Sequence, residues 1–191
     1  MKKLILDCDG VLLDWGYAFE VWMADQGYIK LPDTDKYFSM AKRFGISSDE
    51  SYEKVIEFNN TGVLGYLPAY KDAVEYVTRF KREGWSIEVI SMIGPDKYAN
   101  RLRKMNLIRL FGDIFDYIYC AGHFTQPKKE ILAERYKDSN YIWVEDRLDY
   151  AQQGLEIGLD TYVMDHPYNR EWTGKRIHNW KELYDTTQQS K

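Results

Sequence analysis

Cysteine is scarce in this chain: Cys8 and Cys120 are the only two among 191 residues. A disulfide framework is therefore excluded as the organising device, and a reducing, cytoplasmic setting is expected. Histidine is nearly as rare. His123, His166 and His178 lack metal-ligand spacing, so loop or surface roles are expected for them. No apolar run approaches the roughly 20 residues of a membrane span, and Met1-Lys2-Lys3 leads into a strand-like run rather than a signal core. Positive charge is not in excess either, since 26 Lys and Arg stand against 30 Asp and Glu for a net charge of −4. That balance argues against an extended nucleic-acid partner, which needs a basic face. It leaves room for a small phosphorylated molecule, because a bound metal can reverse the local field. Internal repeats and low-complexity stretches are absent.

What is present is ordinary globular material, with 45% hydrophobic and 29% charged residues. The length suits one substantial core with a small subdomain attached. Residues 3–8 read as a strand buried on both faces. Trp15, Phe19, Val21, Trp22 and Met23 then recur at helical spacing, and two further helices are expected near 36–44 and 49–59, with Ser48 as N-cap of the second. From Ala69 onward strands and helices alternate. Helices are expected over 73–80, 96–107 (Tyr98, Leu102 and Met105 inward), 128–136 and 151–157; strands over 85–90, 115–120, 141–144 and 161–164, with fraying from Thr186. This alternation predicts an α/β fold: a Rossmann-like parallel sheet of about five strands, helices on both faces. Residues 1–13 and 69–191 form its core domain, and 14–68 a small helical cap inserted after the first strand.

The stretch Leu4-Ile5-Leu6-Asp7-Cys8-Asp9-Gly10-Val11 holds the sharpest signal. In an extended strand the side chains at i and i+2 point the same way, so Asp7 and Asp9 are expected to face one cavity. Two carboxylates so close repel unless a cation or a shared proton holds them, which suggests Mg2+ or acid–base work. Read alone, the same residues make an unremarkable Asp-x-Asp-Gly turn. The partners decide: in parallel sheets ligands bind beyond the carboxyl ends of the strands, which gathers Asp7, Asp9, Ser91, Glu145 and Asp146 at one edge.

Asp-x-Asp-Gly-Val after the first strand, Ser91 after the second, a lysine opening a later helix and an acidic pair after the next strand resemble, in this order, the haloacid dehalogenase-like phosphohydrolases. The resemblance implies Asp7 as nucleophile forming an aspartyl-phosphate, and Asp9 as the general acid and then base. It implies Mg2+ held by Asp7, the backbone carbonyl of Asp9 and an acid of the last motif. Lys128 would neutralise the nucleophile and the transferring group. Sharing a helix face with Ile131 and Leu132, it is favoured over Lys129, although the usual proline after the lysine is replaced by Pro127 before it. Asp146 is favoured as direct ligand and Glu145 as its partner; the reverse register would make Asp149 the distal acid. Ser91, with its neighbour Met92, would contact the phosphate end of the substrate.

Within that family the runs Asp7 to Trp15, Gly65 to Val74, Asp96-Lys97-Tyr98, Glu145-Asp146-Arg147 and Met164 to Arg170 resemble the 5′(3′)-deoxyribonucleotidases and bacterial and phage nucleotidases of that group. Ser91-Met92-Ile93-Gly94 departs from their Thr-Ser-Pro string. The resemblance implies a Mg2+-dependent phosphomonoesterase acting on nucleoside monophosphates, deoxy forms preferred. Trp15, Phe19 and Tyr66 are candidates to stack on the base, though aromatics at helical spacing also serve as core. The alternatives are a phosphatase for a sugar phosphate or a polynucleotide 3′ end, a phosphomutase, and a non-catalytic phosphate-binding module. The expected partners are the small phosphorylated substrate and a second copy of the chain in a homodimer, with no membrane.

Overall fold

The first apolar run divides its side chains between the two faces of a sheet. The computed structural model describes residues 2–94, 96–121 and 126–189, so His123 lies outside the described residues. Strand β1 (Lys3–Leu6) sends Leu4 and Leu6 into one buried cluster and Ile5 into another, as strand alternation requires. It is central, pairing in parallel with β2 (Ser86–Met92) on one side and β4 (Ile142–Glu145) on the other. Strands β3 (Tyr117–Ala121), β5 (Asp160–Met164) and β6 (Arg176–Ile177) complete a parallel sheet of order β3-β2-β1-β4-β5-β6. The expected count of about five falls one short because β6 is two residues long, below the reach of any periodicity.

Helices α4 (Ala73–Arg82), α5 (Lys97–Phe111), α6 (Lys128–Tyr136), α7 (Leu148–Glu156) and α8 (Trp180–Gln189) cover the sheet. The chain does not fray at Thr186: the hydroxyls of Thr186 and Thr187 donate back to the carbonyls of Glu182 and Tyr184, and α8 runs on. Helix α5 turns a different face inward from the apolar one. Tyr98 and Met105 are about half exposed, whereas Ala99, Leu102, Arg103, Asn106 and Leu107 are buried. An arginine and an asparagine occupy that stripe, which is why an apolar template misplaces it.

Between β1 and α4 the described residues form α1 (Trp15–Asp25), α2 (Met40–Phe44), α3 (Ser48–Asn59) and a 3-10 turn (Gly62–Tyr66), with no named strand. Side chains of Asp14, Ser39 and Ser47, one residue before the expected Ser48, accept from the first-turn amides of the three helices. Their shared centre is aromatic: Trp15 stacks on Phe19 at 4.7 Å, and Phe58 meets both edge-on at 5.4 Å. The segment enters and leaves through one neck, where Asp14 N donates to the Pro68 carbonyl and Tyr70 N to that of Leu12, at 2.9 and 2.8 Å. Among the described residues no helix is long and apolar enough to cross a membrane.

Candidate active site

Strand β1 stops at Leu6, so the two acids after it diverge. Asp7 still follows the face of Ile5 and meets α6: the Lys128 ammonium donates to Asp7 Oδ1 at 2.6 Å and to Glu145 Oε2 at 2.7 Å. Asp9 lies past the strand on the side of Cys8. There Arg103 of α5 grips it with both terminal nitrogens, at 2.5 and 2.8 Å, and touches Cys8 Sγ at 3.3 Å. The strand rule therefore gave the right neighbourhood for the pair but not its geometry. Both acids border one cavity of about 900 Å3, held by separate cations. Between them and β4 the backbone turns at Gly10, whose φ of +72° suits glycine and whose Cβ would stand 2.8 Å from Asp146 Oδ2.

Asp7, Glu145 and Asp146 are buried, and one oxygen from each lies within 4.8 Å of the others. Burial, and then the nearby Glu145 charge, push Asp7 up to about 7; burial and then Asp7 push Asp146 up to about 6. Lys128 is dehydrated, yet Asp7 and Glu145 hold its ammonium above the ordinary lysine range. Once ionised, three acids against one ammonium would carry two negative charges without a counter-ion in a dry setting, and an all-oxygen donor set of that charge fits a divalent cation such as Mg2+. The two β4 acids differ. Glu145 is fully buried, its Oε1 accepting from the amides of Asp146 and Arg147, whereas Asp146 borders the cavity and accepts from Tyr168 Oη at 2.5 Å. Asp149 pairs with Arg147, and Lys129 with Glu156, both at the exterior.

Of the remaining predicted contacts, Trp15 and Met92 border the cavity. Phe19, Tyr66 and Ser91 do not. Phe19 is spent as the centre of the aromatic cluster, and Tyr66 is 69% exposed beneath the Arg109 guanidinium. Ser91 is fully buried, and its Oγ is a buried hydroxyl without a partner. Phe38, Tyr52, Tyr150 and Tyr168 supply aromatic wall that the sequence did not single out.

No protein-family model matches the chain. A 32.4 kDa protein from the Gp30-rIII intergenic region of Enterobacteria phage T4 is 24% identical over 193 residues, covering 96% of this chain and 69% of that protein. Among solved structures, a haloacid dehalogenase-like family hydrolase from Streptococcus pneumoniae superposes with a TM-score of 0.69 at 13% identity, over 98% of both chains. D,D-heptose 1,7-bisphosphate phosphatase from B. bronchiseptica, crystallised with magnesium and phosphate, gives 0.62 at 14% over all of both chains. CbbY from Rhodobacter sphaeroides, in complex with phosphate, gives 0.62 at 16% over 96% of both. The fold is that of the haloacid dehalogenase-like hydrolases.

On that fold, four residues around the acids were not among the predicted site residues. Arg103 sits on a helix face judged apolar. Tyr168 and Asn169 follow β5 in a short turn: Asn169 Nδ2 donates to the carbonyls of Asp146 and Met164, at 2.8 and 2.9 Å. His166 lies in the loop after β5, the loop alternative of the two expected, and is partly buried there. Its Nε2–H donates to the Gly10 carbonyl at 2.8 Å, leaving Nδ1 to accept from Tyr70 Oη at 3.4 Å, and burial pushes its pKa down to about 4. The run Met164-Asp165-His166-Pro167-Tyr168-Asn169 carried the signal for three of them, as polar groups crowded at a strand's carboxyl end. His178 is exposed beside Glu182.

Proposed function

We propose that the protein is a Mg2+-dependent phosphomonoesterase that dephosphorylates nucleoside monophosphates, deoxy forms preferred. The observation that carries this reading is the meeting of Asp7, Lys128 and Asp146 at the wall of one cavity, with Glu145 buried behind them. Asp7 Oδ attacks phosphorus as the bond to the leaving oxygen breaks, giving an aspartyl-phosphate; water then cleaves it and restores the carboxylate. Lys128, already against Asp7 Oδ1, offsets the repulsion between carboxylate and phosphoryl oxygens. Asp9 passes a proton to the leaving oxygen and takes one from the attacking water. Asp7 and Asp146 are the proposed metal ligands with the Asp9 carbonyl, while Glu145 fixes Lys128. Mg2+ bound there supplies charge neutralisation for the phosphoryl group. The unpartnered Ser91 hydroxyl, rotated toward the cavity, is the proposed donor to a phosphoryl oxygen.

The nucleotide preference is supported by the cavity's size and by its aromatic wall of Trp15, Phe38, Tyr52, Tyr150 and Tyr168. Such rings stack on bases of any identity, contributing about 1–3 kcal/mol per base. Residues 14–68 are proposed to act as the cap, since Phe38 and Arg43 from that segment already lie against Tyr168 of the core at 5.4 and 5.6 Å. Unpaired Cys8 and Cys120 suit a cytoplasmic setting. The deciding experiment measures phosphate release from deoxynucleoside and ribonucleoside monophosphates, sugar phosphates and 3′-phosphorylated oligonucleotides, with Mg2+ and with EDTA. EDTA-sensitive hydrolysis led by the deoxynucleotides is expected. Activity confined to sugar phosphates or oligonucleotide ends overturns the substrate, and metal-independent turnover overturns the mechanism.

A further inference from the structure

The turn that follows β5 is built around a column of rings that ends on a site acid. His166 stacks on Tyr168 with centroids 4.7 Å apart and planes 13° off parallel, and it also meets Tyr70 at 5.0 Å. Asn169 fixes the backbone of the turn: its Oδ1 accepts from His166 N at 3.0 Å and from Arg176 Nη1 at 2.8 Å. The tyrosine hydroxyl so placed donates to Asp146 Oδ2 at 2.5 Å. With Asn169 Nδ2 on the Asp146 carbonyl, this turn holds both the side chain and the backbone of that acid. The same tyrosine ring meets a second part of the chain. Phe38 approaches it edge-on at 5.4 Å, and the Arg43 guanidinium lies 5.6 Å from its centre. Arg43 is buried and anchored in the 14–68 segment, donating from Nε to the Tyr37 carbonyl at 2.7 Å and from Nη1 to Glu20 at 2.9 Å.

We infer that Tyr168 is a positioning residue for the metal: its hydroxyl fixes the carboxylate of Asp146, and its ring carries the contact with Phe38, so that docking of the 14–68 segment on the core tightens metal binding. The inference rests on the Mg2+ site proposed above and is independent of the substrate. A carboxylate already held by a second partner keeps its orientation before the cation arrives. A free one has to be ordered by the cation, at a cost in affinity. The coupling is reciprocal, so whatever the docked segment adds to metal affinity the metal adds to docking.

The test measures the Mg2+ dissociation constant by titration calorimetry on the folded protein, without substrate. Asp146→Asn is expected to lose most of the Mg2+ binding. Tyr168→Phe keeps the ring and removes only the hydroxyl, and Mg2+ should bind about 10- to 100-fold more weakly, the range seen when the partner behind a metal ligand is lost. Phe38→Ala should weaken Mg2+ by up to about tenfold, the range of one aromatic pair. It should have no further effect once Tyr168 is replaced by Phe, because the path to Asp146 runs through the hydroxyl. A merely structural tyrosine behaves otherwise: its loss lowers the melting temperature of the metal-free protein and leaves the Mg2+ constant where it was. Tyr168→Phe binding Mg2+ within about twofold of the unaltered protein overturns the inference and leaves the metal site standing. So do effects of Phe38→Ala and Tyr168→Phe that simply multiply. Asp146→Asn binding Mg2+ as tightly as the unaltered protein overturns the metal site and this inference together.

Discussion

Arg103→Met removes the cation that holds Asp9 while keeping a long apolar side chain in its place. Arg103 is fully buried and binds both oxygens of the carboxylate. Deleting one partner of a buried ion pair costs about 3–5 kcal/mol, because the other charge is left uncompensated. Two features place this case at the lower end. The Asp9 side chain is 32% exposed toward the cavity, so water can reach it once the guanidinium is gone. Arg103 Nε is buried without a partner, and its desolvation penalty disappears with the substitution. About 3 kcal/mol is therefore expected, seen as a lower urea midpoint at unchanged slope and a melting temperature down by about 6–12 °C for a chain of this size. The chemistry should report it as well. Burial raises the Asp9 carboxyl and Arg103 opposes that rise; without Arg103 the opposition is lost, and the Asp9 limb of the kcat/KM–pH profile should move to higher pH. Arg103→Lys keeps the charge but loses the two-pronged contact, and should fall between. A variant within 1 kcal/mol of the unaltered protein, with an unmoved pH limb, would refute the pairing argued here.

Asp7→Asn should lower phosphate release by at least about 10^3-fold while the circular dichroism spectrum and melting curve stay those of a folded protein; residual turnover near the starting rate rejects Asp7 as nucleophile. With folded-state values near 7 and 6 against an ordinary 3.8, Asp7 and Asp146 hold protons that the unfolded chain has shed. Their contribution to metal-free stability should therefore fall as pH rises from about 4 to 7, and Mg2+ should raise the melting temperature more at pH 8 than at pH 5; equal shifts at both would remove the cluster as the metal site. His166 has the opposite sign, because its folded value near 4 lies below the ordinary 6.5. Its contribution should be lost as pH drops from about 6.5 to 4, by up to about 3 kcal/mol, and the difference between the stability curves of the unaltered protein and His166→Gln should trace that window. Gly154→Ala should destabilise by about 1–3 kcal/mol in urea titration, since the new Cβ would stand 2.5 Å from Trp143 Cδ1 and 2.7 Å from Thr161 Oγ1.

The sheet was legible because β1, β2, β4 and β5 are apolar runs whose ends are marked by polar residues, and a parallel sheet brings such ends to one edge. Lys128 was legible for a local reason: a lysine in register with Ile131 and Leu132 has to point inward, and it does. The residues that hold the acids were not. Arg103 breaks the very periodicity used to find helix faces, so the template discarded it and promoted Tyr98 and Met105 to a face they do not occupy. Ser91 and Phe19 lie behind the cavity wall for another reason. A strand-end hydroxyl and a helix aromatic can each lie a few ångströms on either side of a cavity wall, and only the packing of neighbouring elements decides which. Strand β6 and the Tyr168–Asn169 turn depend on pairings made across the sheet, which no window of neighbouring residues contains.

The neck at Leu12–Asp14 and Pro68–Tyr70 closes on itself through backbone bonds and an antiparallel bridge between Leu13 and Ala69. Two chain ends spliced side by side make the segment between them a cassette. Its length and composition can change without shifting the register of β1 or the place of Asp7. Under the proposed function, selection for a new leaving group would rewrite that segment one piece at a time, while the proposed phosphoryl-handling residues beneath it stayed as they were.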